Sequence, residues 1–165
     1  MKITVLGIGN ILLKDEGIGV RAIEHLKEYD LPKQVELIDG GTATASLFPI
    51  FAETDHLIVI DAVKGKMPPG TIYRLGSNDL MPPKGASISL HDLGLLEALD
   101  MAKKIGKAPK SVVIFGIEPK EINWGMELSP EINKKLPQIA RLVIEEIKRL
   151  LKNHYSQEIY DKLIK

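Results

Sequence analysis

Cysteine is missing altogether from these 165 residues. Its absence rules out disulfides, thiolate metal sites and a cysteine nucleophile, and it fits a reducing compartment. An excess of one charge is missing too. Lys plus Arg and Asp plus Glu stand at 22 each, so nothing in the net charge favours nucleic acid or an anionic membrane surface. No apolar run reaches the roughly 20 residues of a membrane-spanning helix, and Met1-Lys2 leads directly into a strand-like run and not into a signal h-region. Neither an internal repeat nor a linker divides the chain. These absences predict a cytoplasmic protein with no nucleic-acid or membrane partner, whose function has to be found from a site. A hydrophobic content of 44% over this length is enough to bury one real core.

What is present is an alternation of apolar runs and amphipathic segments. Residues 2–6, 35–38, 56–63 and 111–117 read as strands, and HLIVIDAV at 56–63 is apolar enough to be the central one, covered on both faces. Residues 71–75 alternate sides after a Pro/Gly-rich turn, which suggests an antiparallel edge strand. Helical spacing runs over 17–29, with Ile18, Ala22, Ile23 and Leu26 on one face, and a shorter helix is expected near 45–51. Ser89-Leu90-His91-Asp92 has the form of a capping box and opens a helix with Leu93, Leu96, Ala98, Leu99 and Ala102 at helical spacing. The long irregular loop before it, 76–88, is of a length that often carries function. Ser129 as cap and Pro130 at the first position open a last helix to about residue 152, with Ile132, Leu136, Ile139, Val143, Ile147 and Leu150 inward. The order β-α-β-α-β-β-α-β-α predicts an α/β fold: a three-layer α/β/α sandwich around a twisted, mostly parallel sheet of about five strands, one of them antiparallel. A single domain is expected over 1–153, with an amphipathic tail, 154–165, outside the core pattern.

The chain is organised around VLGIGNILLKDEGIGV at 5–20. This is a strand, a turn with two acids, and a helix start, and in an open α/β sheet the carboxyl ends of the strands are where ligands sit. A dinucleotide fingerprint would need a third glycine at position 12, which is Leu12, and Asp15 and Glu16 stand where a pyrophosphate wants bare amides. The other reading takes the glycines as room for the backbone to turn and Glu16 as a side chain delivered to the crevice. Alone, Glu16 is explained as well by the dipole of the following helix. Its company decides otherwise. Asp39 and Asp61 end two strands, and His91 falls in a first helical turn, where the dipole disfavours its protonated form and keeps it able to bind metal. A doubly wound sheet gathers all four segments along one edge. Glu16, Asp61 and His91 make a two-oxygen, one-nitrogen metal site with open positions, although no local motif such as H-E-x-x-H announces it.

Together G-I-G-N-x-L-x-x-D-E-G-I-G, D-G-G-T, I-D-A and S-x-H-D-x-G resemble the maturation endopeptidases of nickel-iron hydrogenases, over residues 1 to about 150. The resemblance implies an enzyme that recognises the nickel-loaded precursor of the hydrogenase large subunit and removes its C-terminal extension. Carried over by position, it implies that Glu16, Asp61 and His91 bind metal and that Asp39 serves cleavage. Nickel would then arrive with the substrate, and the water would be activated either by a metal or by Asp39 as base. An isolated Asp lacks the paired partner of an ordinary aspartic protease. The alternatives are a nickel-sensing module that docks on the precursor without cutting it, and a nucleotide-binding α/β domain.

Overall fold

A computed structural model describes residues 1–42, 44–76 and 90–163, the side chains of 44, 45, 90–93 and 157–163 excepted. The elements are β1 (Ile3–Ile8), α1 (Ile18–Leu26), β2 (Val35–Gly41), α2 (Phe48–Ala52), β3 (His56–Ala62), β4 (Ile72–Gly76), α3 (Leu90–Lys104), β5 (Ser111–Ile117), α4 (Pro130–Asn133) and α5 (Leu136–Leu163), with 3-10 turns at Lys14–Gly17 and Thr44–Leu47. The five strands form one sheet in the order β2-β1-β3-β5-β4. Every neighbouring pair is parallel except β4 against β5. The expected α/β architecture and its single antiparallel edge strand are both present.

Alternation along the strands sorts the core into two halves. Ile58, Ile60 and Ala62 of β3 pack with α1 (Ile18, Ala22, Ile23, Leu26) and α5 (Ile139, Val143, Ile147). Leu57 and Val59 point the other way, to Phe51 of α2 and to Leu95, Leu99 and Ala102 of α3. β3 is therefore buried on both faces, which is why its sequence shows no polar alternation. By the same parity Asp61 belongs to the α3 face. The backbone of α3 starts at Leu90, so His91 is its second residue, and it begins on that same side of the sheet.

Three expectations shift. Leu95 is buried where Leu96 was expected, because 95, 98, 99 and 102 make the i, i+3, i+4, i+7 stripe that meets the sheet and 96 falls beside it. The last helix is broken: Pro137 has no N–H to give the carbonyl of Asn133, so α4 ends there and α5 restarts, with Ile139 N–H bonding Lys135 O at 2.9 Å. α5 then runs to Leu163, well past residue 152, and no glycine or proline interrupts 138–163. The capping Ser89 and the loop 77–89 lie outside the described residues.

Candidate functional site

The first strand–turn–helix unit is held by close backbone approach. Gly9 has φ +145, and a Cβ there would stand 1.9 Å from the carbonyl oxygen of Glu16. A Cβ on Gly19 would meet the carbonyl oxygens of Ile8 and Ile60, each at 2.2 Å. Only glycine lets the turn fold back on the end of β1 and lets α1 lie against β1 and β3. The Cβ side of Gly9 is taken by the Glu16 carbonyl, so this glycine serves close packing of the turn's own backbone.

The turn carries two acids with opposite fates. Asp15 is fully buried. Its Oδ2 accepts the backbone N–H groups of Lys120 and Glu121 at 3.0 and 2.8 Å and the Ser129 hydroxyl at 2.8 Å, and its Oδ1 accepts the Ser129 N–H at 2.7 Å. A fully buried carboxylate that accepts from four donors is a strong tie. It binds the turn to the 118–129 loop, and it explains why Ser129, the N-cap residue of α4, makes no side-chain cap bond. Backbone bonds from Lys14 N–H to Gly125 O (2.8 Å) and from Gly125 N–H to Leu12 O (3.0 Å) close the same joint, as does the Lys14–Glu121 ion pair at 2.6 Å. Sequence reading passed over Asp15, since its partners lie 105 to 114 residues away. Glu16, next in the chain, is left half-buried on this clamped turn, which touches β3.

Asp39 and Asp61 end neighbouring stretches of the same edge. Asp39 pairs in register with Gly7, is exposed, and its Oδ1 accepts the Gly41 N–H at 2.9 Å. It lines a groove of about 300 Å³ with Gly9, Asn10, Leu12, Val20 and Thr42. Asp61 is 1% exposed, and its Oδ1 accepts the N–H of Ala62 at 2.8 Å. A carboxylate so deeply placed at a strand end is held in one direction, as a ligand-binding group must be. Among the described residues no three His, Asp or Glu side chains form a metal cluster. The third expected member, His91, lies outside the described side chains. Two carboxylates and an imidazole suit a divalent transition ion and leave open positions. Among the described residues no helix is long and apolar enough to cross a membrane.

Comparison with known proteins gives a consistent answer. A family model described as hydrogenase maturation protease matches residues 20–146. The hydrogenase 2 maturation protease of Escherichia coli (strain K12) is 37% identical over 150 residues, covering 90% of this chain and 92% of the relative. The hydrogenase expression/formation protein HupD of Thiocapsa roseopersicina is 37% identical over 147 residues, which is 87% of this chain and 66% of the relative's length. Among solved structures, the hydrogenase maturating endopeptidase HybD from E. coli matches with a TM-score of 0.83 at 36% identity, over 90% of this chain and 93% of that one. On sequence and fold together, this chain belongs to the hydrogenase maturation protease family.

Proposed function

We propose that this protease removes the C-terminal extension of a nickel-iron hydrogenase large-subunit precursor, and that it reads the nickel carried by that precursor through Glu16, Asp61 and His91. The observation that carries the reading is the arrangement of one sheet edge, where a clamped turn bearing Glu16 touches the strand that ends in buried Asp61. α3, with His91 in its first turn, starts on the same face. Three protein donors leave room for ligands from the precursor, so the metal joins the two proteins only when it has been loaded.

Asp39 takes the part of general base. Exposed beside its groove, it accepts a proton from a water as the water oxygen attacks the scissile carbonyl. The C–N bond then breaks, the proton passes to the departing amine, and the products are a new C-terminal carboxylate and the free extension. The Gly41 N–H on Oδ1 fixes the carboxylate's direction and leaves Oδ2 to take the proton.

The test is incubation with nickel-loaded precursor, read by the mass of the large subunit. Loss of the extension is expected with loaded precursor and not with empty precursor. Tight binding with unchanged mass would replace the enzyme with a docking module.

A further inference from the structure

A second feature of this edge has no part in the reaction so far. Beyond Asp61 the chain leaves β3 through residues 64–66, and Lys64 and Lys66 line a groove of about 420 Å³ with Glu118, Pro119, Lys120 and Ile122. Lys64, Lys66 and Lys120 are all exposed. Lys120 pairs with Glu131, whereas no described residue forms an ion pair with Lys64 or Lys66. The one acid of the groove, Glu118, is 7% exposed and is committed inward: its Oε2 accepts the Gly65 N–H at 2.7 Å and the Tyr73 hydroxyl at 2.5 Å. Burial first, and that carboxylate second, push the Tyr73 hydroxyl up to about 12, so it remains a donor and the loop stays pinned. Lys66 holds φ 65 without being glycine. Such a conformation is strained for a residue with a side chain and persists where its surroundings impose it, most often near function.

We propose that this groove binds carboxylate groups of the polypeptide being cut, with Lys64 and Lys66 as the receiving cations. The inference rests on the protease reading above, for it is there that the ligand becomes a polypeptide, whose anions are carboxylates. The chemistry of the groove argues against a phosphate. Phosphate cradles are built from runs of free backbone amides, but here the Gly65 N–H is taken by Glu118 and the Gly70 N–H by the Glu118 carbonyl at 2.8 Å. Only mobile ammonium groups remain, which suit solvent-exposed carboxylates and make the interaction sensitive to salt. Lys64 lies three residues beyond Asp61. The groove therefore follows in the chain directly on the end of β3 that carries Asp61.

The experiment compares wild type with the Lys64→Gln/Lys66→Asn double variant, Asn being tolerated at positive φ. Precursor affinity is titrated at low and high salt, and cleavage is followed in parallel. The variant should bind about five- to tenfold more weakly at low salt, the sum of two exposed pairs, raise KM with kcat unchanged, and lose the salt dependence of wild type. Lys64→Arg should keep wild-type affinity. Precursor with an amidated C-terminus, and precursor with the acidic residues of its extension changed to amides, identify which carboxylate is bound, since one of them should lose the salt dependence. Equal affinity and equal salt dependence of wild type and double variant would overturn the groove. So would a wild-type salt dependence that survives both altered precursors. An absence of cleavage by wild type would sink the protease reading instead, while the titration would still decide the groove.

Discussion

The ends of β2 and β3 carry one aspartate each at the same edge of the sheet, and they live in different surroundings. Asp39 is on an outer strand, exposed, beside an open groove. Asp61 is on the central strand, 1% exposed, on the face of the sheet that α3 covers. Strand order alone produces the contrast, because β2 has a neighbour on one side only while β3 is flanked by β1 and β5. An exposed carboxylate is open to water and to a docking polypeptide, which is what a base requires. A buried one is expensive to charge and is kept where it meets a cation. The same residue type at the same edge is therefore suited to proton transfer in one place and to metal recognition in the other.

Five substitutions break or sharpen that comparison, from the largest effect to the smallest. Asp39→Asn should lower the cleavage rate by about 10²- to 10⁴-fold with an unchanged melting temperature. A variant that melts early and cleaves at the normal rate would reduce Asp39 to a turn-forming residue. Asp15→Ala removes the tie under Glu16 and strands buried donors of residues 120, 121 and 129, at a cost of about 3 kcal/mol. At roughly 2 to 4 °C per kcal/mol for a chain of this size, melting should fall by about 6 to 12 °C. A shift under a degree or so would mean that the joint is held without it.

Asp61→Asn, and likewise His91→Ala, should abolish most of the preference for metal-loaded over empty precursor, a change of about tenfold or more, at or above the cost of losing a group one shell farther from a metal. Binding to empty precursor should hardly move. Equal wild-type affinity for both forms would remove the metal-reading role from the β3 end.

The smallest effect sits at the opposite end of β3. His56 is half-buried with Nδ1 2.7 Å from the Ser111 hydroxyl, and burial pushes its pKa below the ordinary 6.5. The unfolded chain therefore takes up the proton first. Its contribution to stability is whole above 6.5, falls as pH drops through that value, and levels off below the folded pKa. Melting curves between pH 7 and 5 should show a slightly steeper loss for wild type than for His56→Gln. Parallel curves would leave His56 without a role in the acid response.

Much of this was legible in the chain. The run at 56–63 announced a two-sided central strand because parallel strands under helices lose their polar alternation. Glu16, Asp39, Asp61 and His91 stand out in the chain because each sits where an apolar run gives way to a turn or a helix start, the places that in an open α/β sheet lie toward the ligand edge. Long-range joints were not legible. Nothing near Asp15 foretells that it will accept from residues 120, 121 and 129, and nothing near Lys64 foretells that Glu118 and Tyr73 will pin its loop. The break before α5 had a local cause in Pro137, yet Ser129 as cap pointed to the right start with a different use of its hydroxyl.

By itself the sequence determined the order of the elements and the two-faced core, since these follow from periodicity and from where apolar runs stop. Tertiary structure alone decided which acids are clamped, which are buried and which remain open to solvent. A carboxylate's role depends on the donors and the dielectric around it, and those come from segments a hundred residues away, brought close only by folding.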